Sequence, residues 1–375
     1  MPTYRTPGVY LEEVSSGVRP IGGVQTATTV FFGKSSGEGA PLRSQTFLTS
    51  YDQFKQEFCV GLANVCSTLA TSVSGFFANG GTRLWVVNLG EEATQIAPED
   101  MALLTSLVEI NLIAAPGFCD AASHEAIISH CEQNQGRFAV LDLPDDWDRI
   151  EQLTTIPADG GLRPRNADGG VAAVYAPWLK VHDALTSQTV DAPPSGHICG
   201  IYARIDAERG VFKAPANTVV RGALNLTHHL SAADQDILNP ASVNAIRVFP
   251  DGIKVWGART LSGASSEWRY VPVRRLASFI EESIQKGTQW AVFEPNDQTL
   301  WASIERNVDA FLNTYWREGA LAGPRPEAAY FVKCNSETMT QSDIEAGIIN
   351  IQIGIAPLKP AEFIIIRIRL TSNQT

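Results

Sequence analysis

The chain offers few groups of residues whose types and spacing favour catalysis. Gly33-Lys34-Ser35-Ser36-Gly37 fits the G-x-S-x-G pattern, which holds a nucleophilic serine on a sharp turn between a strand and a helix. Residues 38–43 include glycine and proline and do not predict that helix, so an ordinary turn at the end of a strand is favoured. The segment also lacks the upstream glycine spacing of a phosphate-binding loop, and no nucleotide site is predicted.

Metal binding and acid–base chemistry have equally little support. His124 and His130 lie six residues apart and would face different sides of a helix, so they cannot chelate one metal ion together. We expect the histidines to be solvated or capped. The acidic residues from Asp142 to Asp148 are more typical of helix starts than of a catalytic centre at a strand end. We therefore predict no enzyme activity, no cofactor and no metal site.

Composition narrows the class of protein. The 375 residues carry 29 Lys and Arg against 40 Asp and Glu, and the net charge of −11 disfavours nucleic-acid binding. No apolar run reaches the roughly 20 residues of a membrane-spanning helix, and the first residues do not resemble a secretion signal. The six cysteines form no CxxC pair, which favours free thiols. We expect a protein made in the cytosol and not inserted in a membrane.

The elements that would position these residues follow an α/β pattern. Helical spacing of apolar residues predicts helices over 98–110 and 124–132. Residues 159–168 and 191–196, rich in glycine or proline, predict surface loops. Four runs that are apolar on both faces predict buried strands of a mainly parallel sheet, over 28–33, 82–88, 111–115 and 137–143.

A second, α+β domain is predicted from about Asn239. It begins with a hairpin over 245–257 that turns at Pro250-Asp251-Gly252. Five tryptophans in this region indicate a strong core or subunit contacts. The remaining predicted elements are helices over 273–286 and 296–318, a short strand over 290–293, and strands over 329–335 and 348–356.

Both ends of the chain carry strand-like runs that proline and glycine set apart. Strands with free backbone groups pair readily with other chains. From the residues alone, these arms either pair within one subunit or complete a sheet on another copy of the chain by strand addition. The N-terminal arm consists of Val9, Tyr10, Leu11, Glu12, Glu13 and Val14, and the C-terminal arm consists of Phe363, Ile364, Ile365, Ile366, Arg367, Ile368, Arg369 and Leu370.

Several blocks of sequence resemble the contractile tail sheath proteins of bacteriophages and of phage-tail-like contractile injection systems. The resemblance covers nearly the whole chain and is weakest over 91–188. Its blocks are TPGVYLEEV from Thr6, PPSGHICGIYAR from Pro193, WGARTL from Trp256, FEPND from Phe293 and NIQIGIAPLKPAEF from Asn350.

The resemblance implies a structural subunit that polymerises with itself into a six-fold helical cylinder around an inner tube. Baseplate and terminal cap proteins then lie at the ends of the cylinder. Contraction from a metastable extended state drives the tube through a target envelope. Assembly in the bacterial cytoplasm is implied, and the product is part of a virion or of a phage-tail-like particle.

The resemblance also implies an order of domains. Residues 1–23 form the N-terminal arm and linker, 24–238 an outer α/β domain, 239–356 a C-terminal α+β domain facing the tube, and 357–375 the C-terminal linker and arm. Both arms are expected to pair with neighbouring subunits. The expected hinge residues are Gly17, Gly22, Gly23, Pro357 and Pro360.

The charged side of the 296–318 helix is a candidate tube contact, and a merely solvated face is the alternative. The residues concerned are Glu305, Arg306, Asp309 and Arg317. Two other functions stay open at this point: an α/β enzyme without a recognisable catalytic motif, and a general self-assembling tube or shell protein.

Overall fold

A computed structural model describes residues 19–61, 68–107, 109–263 and 266–362. Within them the chain forms two compact units: a larger unit of residues 24–282 and 357–362, and a smaller unit of residues 283–356 and 19–23. The chain therefore passes between the units after residues 23, 282 and 356. None of the described helices is long and apolar enough to cross a bilayer.

The strands of the described residues belong to three sheets. They are β1 (Thr29–Gly33), β2 (Gln45–Leu48), β3 (Leu84–Asn88), β4 (Leu112–Ala114), β5 (Phe138–Asp142), β6 (Ala172–Ala176), β7 (Leu179–Asp183), β8 (Gln188–Ala192), β9 (Thr218–Val219), β10 (Ala223–Leu226), β11 (Val243–Phe249), β12 (Gly252–Val255), β13 (Tyr330–Lys333) and β14 (Gln352–Ile355).

The main sheet of the larger unit has the strand order β2-β3-β1-β4-β5-β6-β11-β12-β9. Its centre, from β3 to β11, is parallel, and antiparallel strands lie at both edges. A second antiparallel sheet, β10-β7-β8, belongs to the same unit, and β13 and β14 form a two-stranded sheet in the smaller unit.

Helices connect these strands. They are α1 (Tyr51–Phe58), α2 (Thr68–Ala78), α3 (Pro98–Ala102), α4 (Ala121–Gln133), α5 (Ser195–Arg209), α6 (Ala232–Leu238), α7 (Val271–Gly287), α8 (Gln298–Arg317), α9 (Pro326–Ala329) and α10 (Gln341–Glu345). The passage between the units after residue 282 falls inside α7.

Alternation along the central strands explains why both faces of the main sheet are covered. In β1, Phe31 belongs to one buried apolar cluster, which includes Val73 of α2 and Ile198 of α5. Val30 and Phe32 belong to the other cluster, which includes Ile127 of α4. Because successive side chains of a strand point to opposite faces, a strand that is apolar at every position requires helices on both sides.

The strands predicted over 28–33, 82–88, 111–115 and 137–143 are confirmed, and so are the helices that became α4, α7 and α8. Three predictions were wrong. Residues 289–291 form a 3-10 turn and not a strand. The 98–110 helix is only α3 and a following 3-10 turn up to Ser106. Residues 192–196 are buried and lead directly into α5, instead of forming a surface loop.

The predicted hairpin is present as β11 and β12, but it does not begin a separate domain. β11 pairs in parallel with β6, with Val243 opposite Val174. The hairpin therefore extends the main sheet of the larger unit, and the first passage beyond it lies at residue 282. Its sequence is that of any hairpin, so only the pairing with a distant strand reveals where it belongs.

Candidate assembly surfaces

The serine of the G-x-S-x-G pattern has no catalytic partner among the residues that the structure describes. Ser35 is buried, and its hydroxyl donates to the carbonyl of Phe58 at 2.5 Å. Its backbone N–H donates to Asn88 Oδ1 at 2.8 Å. No helix follows it, so the segment is a packed turn at the end of β1, as the sequence indicates.

Asp142 lies at the end of β5 and is buried, but its role is structural. It accepts hydrogen bonds from the backbone N–H and the hydroxyl of Ser195, at 2.7 and 2.6 Å. Ser195 is the first residue of α5, so the carboxylate caps the exposed amides of that helix. Burial nevertheless raises the pKa of Asp142 to about 7. The nearby His124 reaches only the carbonyl of Asp142, at 3.0 Å, and contributes no base to Ser195.

The histidines were expected to be solvated or capped, and the structure buries two of them. His182 and His229 are exposed, but His124 and His197 are buried. Burial lowers the pKa of both to about 4, so they are neutral at pH 7. Among the described residues no group of three His, Cys, Asp or Glu side chains could hold a metal ion.

The residues that lead into the C-terminal arm are held by a buried ion pair. We call residues 357–362 the C-terminal root. Arg259 donates from Nε and Nη2 to the two carboxylate oxygens of Glu362, at 2.8 and 2.6 Å. Tyr270 donates its hydroxyl to Glu362 at 3.2 Å. The two charged side chains are only 4% and 19% exposed, so this bidentate pair is largely removed from water.

The charge of Arg259 decides the protonation of Glu362. Burial by itself would raise the pKa of Glu362, but the hydrogen bonds and the charge of Arg259 outweigh it and hold the pKa below the ordinary 4.5. Glu362 is therefore ionised at neutral pH, and the pair is fully formed.

Arg259 is itself positioned by β11 and by the residues just before that strand. Its backbone N–H donates to Asn244 Oδ1 of β11 at 2.7 Å, and its Nη1 donates to the carbonyl of Asn239 at 2.6 Å. An added Cβ at Gly257 would lie 2.9 Å from Asn244 Cα, so only glycine allows this approach. The Trp256–Leu261 block thus builds the socket into which Glu362 fits.

The residues that follow the N-terminal arm are held differently. We call residues 19–23 the N-terminal root. The Arg19 guanidinium lies 4.5 Å from the centre of the Trp290 ring, and the Arg19 N–H donates to Asn307 Oδ1 at 3.3 Å. Ile21 is buried against Gly287, where an added Cβ would lie 2.6 Å from Ile21 Cγ2. This root depends on shape and on a cation–π contact.

Helix α8 presents three of the four predicted tube-contact residues. Arg306, Asp309 and Arg317 are exposed. Glu305 is only half-exposed, and it accepts a hydrogen bond from the backbone N–H of Cys334 at 3.1 Å. Glu305 therefore ties α8 to the end of β13, a role that its position in the helix does not reveal.

The sheet of β13 and β14 is small and open. Four residue pairs join the two strands, from Tyr330 opposite Ile355 to Lys333 opposite Gln352. In the part of the chain that the structure describes, neither strand has another neighbour. Phe331 and Ile348 are exposed, and Ile349, Ile351, Ile353 and Ile355 are only half-buried. A sheet with so little cover is incomplete by itself.

Both predicted arms, over 9–14 and 363–370, and the predicted hinge Gly17 lie outside the described residues. Nothing in the sequence singled out Arg259 or Tyr270, and Glu362 was expected only as part of the C-terminal linker and arm. The only signal was that the WGARTL block and the AEF ending both belong to the resemblance, although they are about a hundred residues apart.

Two family models match the chain. The model of the phage tail sheath protein central domain matches residues 97–261, and that of the phage tail sheath C-terminal domain matches residues 264–371. Together they span almost three quarters of the sequence.

Solved structures and a catalogued relative agree with these matches. The contracted sheath complex of PVC, an extracellular contractile injection system, is 32% identical with a TM-score of 0.83, over 100% of both chains. A chain of the 6-fold symmetrised baseplate of the anti-feeding prophage is 32% identical with a TM-score of 0.80, over 99% of this chain and 100% of that one. A putative prophage major tail sheath protein of Pseudomonas aeruginosa (strain UCBPP-PA14) is 25% identical over 70% of this chain, which spans 65% of that relative.

Proposed function

The chain belongs to the phage tail sheath protein family and is a subunit of a contractile tail sheath; on that premise we propose that it polymerises with copies of itself into a six-fold helical cylinder around an inner tube. Members of the family are structural sheath proteins, so the prediction that the chain is not an enzyme is confirmed by its family. The matching chain in a 6-fold symmetrised baseplate supports the six-fold arrangement and a baseplate at one end.

The observation that carries the proposal is the open sheet of β13 and β14. Each strand has a free edge in the described part of the chain, and free edges accept strands from other chains. We propose that Val9–Val14 and Phe363–Leu370 of neighbouring subunits supply those strands. Backbone hydrogen bonds would then join the subunits into a continuous mesh.

The proposed hinges coincide with two of the passages between the compact units. Residues 19–23 end at one passage, and residues 357–360 begin at another. An added Cβ at Gly22 would meet nothing within 4 Å, so the chain is uncrowded there. Extended linkers at these points would let the mesh stay joined while the folded bodies rotate during contraction.

The Arg259–Glu362 pair gives the C-terminal arm a firm base. A strand donated to another subunit transmits force only if the residues before it are fixed to their own subunit. The bidentate pair fixes the residue directly before the arm, and it leaves Pro357 and Pro360 to set the direction of the linker.

We further propose that the smaller unit faces the inner tube, and that Arg306, Asp309 and Arg317 of α8 contact it. Terminal cap proteins close the end away from the baseplate. Assembly takes place in the bacterial cytoplasm, and the product is part of a phage tail or of a phage-tail-like particle. No nucleotide or cofactor is needed, because the energy of contraction is stored in the metastable extended arrangement.

Negative-stain electron microscopy of the recombinant full chain tests this function. We expect hollow, striated cylinders. Deletion of residues 1–17, or truncation before Ala361, should leave folded bodies that do not polymerise. Normal cylinders from either shortened chain would overturn the role of that arm, and smooth tubes or closed shells from the full chain would favour a general self-assembling protein.

The tube contact has a separate test. Arg306→Glu with Arg317→Glu should leave tube-free assembly unchanged and weaken assembly on the inner tube protein. Reversal at Arg221, an exposed arginine of the larger unit between β9 and β10, serves as the control. If the double variant coats tubes as well as the control does, the α8 surface is not the contact.

A further inference from the structure

Two large apolar side chains of the smaller unit project into solvent from one turn. Val292 is 62% exposed and Phe293 is 102% exposed, the highest value among the large apolar residues of the described chain. They lie between the 3-10 turn Gln289–Ala291 and the start of α8. We call these two residues the Val292–Phe293 tip. A ring so exposed makes no packing contact with the rest of the described chain.

The tip is fixed in place on both sides. The N–H of Val292 donates to the Gln289 carbonyl, and the N–H of Glu294 donates to the Ala291 carbonyl, both at 3.2 Å. On the far side, Asn296 Oδ1 accepts a hydrogen bond from Nε1 of the buried Trp301 at 2.7 Å. The backbone that carries the ring is therefore held in place, and binding the tip would order little additional chain.

The backbone of Phe293 is in the left-handed region, with φ of 70°. This conformation favours glycine and costs a residue with a Cβ roughly 1–2 kcal/mol. A phenylalanine that is strained and also fully hydrated does nothing for the stability of the isolated chain. Strained residues cluster at functional sites such as ligand clamps and switch regions.

We propose that the Val292–Phe293 tip packs against a second copy of this chain in the assembled sheath. This inference rests on the proposed function. A second copy is the partner that the solved relatives favour, since they include a PVC sheath complex and a helical sheath of the anti-feeding prophage. In a helical assembly, each contact joins two different surfaces, so a tip on one copy fits a different surface on the next. Its uncharged, aromatic character is typical of permanent contacts between identical chains.

The variant Phe293→Gly separates binding from folding. Removal of the ring from a buried contact should raise the protein concentration needed for tube-free assembly about tenfold or more. The same variant relieves the backbone strain, so the isolated full-length monomer should unfold about 2–4 °C higher than wild type. Phe293→Leu keeps an apolar side chain, and we expect it to assemble at close to the wild-type concentration.

Two control variants each reproduce one effect of Phe293→Gly: one relieves backbone strain elsewhere, and the other removes a different exposed apolar side chain. Ser187→Gly relieves a similar backbone, with φ of 56°, at an exposed turn between β7 and β8. Leu224→Ser removes another exposed apolar side chain, 60% exposed, on β10. We expect both controls to assemble like wild type.

Each contrary outcome has a definite meaning. Assembly of Phe293→Gly at the wild-type concentration overturns the inference. Normal tube-free assembly with impaired coating of inner tubes assigns the tip to the tube protein and not to a second copy. A less stable monomer shows that the ring is covered by its own chain. If the wild type forms no cylinders either alone or with the inner tube protein, the proposed function fails, whatever the variants do.

Discussion

The larger and the smaller unit fix their ends of the chain by different chemistry. The larger unit holds the C-terminal root by the ion pair of Arg259 and Glu362, and it also contains all six histidines of the chain. The smaller unit holds the N-terminal root by Ile21 against Gly287 and by Arg19 over Trp290. The larger unit should therefore respond to charge and pH, and the smaller unit to changes of shape.

This difference bears on how a sheath could change state without coming apart. The N-terminal root belongs to the smaller unit and the C-terminal root to the larger unit. A neighbour joined through the N-terminal arm would therefore be tied to the smaller unit, and a neighbour joined through the C-terminal arm to the larger unit. Because the two roots respond to different changes, single substitutions can release one root and leave the other in place.

Acid provides the largest expected contrast. In the larger unit, burial lowers the pKa of His124 and His197 from 6.5 to about 4. The unfolded chain therefore takes up protons first, and stability falls as the pH drops from about 6.5 to 4. By pH 5 the loss is about 2 kcal/mol for each histidine. The raised pKa of Asp142, about 7, acts in the opposite direction, since its protonation on acidification stabilises the fold.

We therefore predict that Asp142→Asn loses about 3 kcal/mol more stability than wild type between pH 8 and pH 5, because the variant lacks the compensating protonation of Asp142. Calorimetric unfolding of both proteins at the two pH values measures the difference. Protease cleavage at pH 5 should begin in the larger unit, because the smaller unit contains no histidine. Equal pH dependence of the variant and wild type would contradict the assignment of these groups.

The second prediction concerns the C-terminal root. Glu362→Ala leaves the Arg259 guanidinium buried without its counter-ion, and we expect a loss of about 3 kcal/mol in the free energy that holds residues 357–362. Hydrogen exchange of that segment measures it. Tyr270→Phe removes one hydrogen bond of 3.2 Å and serves as the control, with an expected loss of about 1 kcal/mol. Similar exchange in the two variants would argue against the ion pair as the anchor.

The third prediction concerns the N-terminal root and has the smallest expected effect. Gly287→Ala places a Cβ 2.6 Å from Ile21 Cγ2, so Ile21 must move, at a cost of about 1–2 kcal/mol. Faster hydrogen exchange at residues 19–23, with no change at 357–362, would report it. Gly22→Ala is the matched control, because its Cβ meets nothing within 4 Å. A root released equally by both variants would show that the Ile21 contact is not what holds it.

Much of the fold could be predicted from local patterns. β1, β3, β4 and β5 are apolar at nearly every position, and the apolar stripe of α8 runs from Leu300 to Leu312. Helix α5 was missed because it is buried on every side up to Ile205 and so has no stripe. Residues 290–293 are apolar, which suggests a strand, but within the described part of the chain no strand lies beside them, and they form a turn with an exposed tip.

The candidate surfaces likewise include features that the sequence predicts and features that only the structure shows. The sequence by itself determined the family resemblance, the unusual ends of the chain and the charged residues of α8, since each depends on residues that are close together along the chain. Only the tertiary structure decided that Glu362 meets Arg259, that Ile21 rests on Gly287, and that Phe293 projects into solvent. The physical reason is that burial and ion pairing depend on which distant segments the sheet brings together, and no local pattern of residues specifies that.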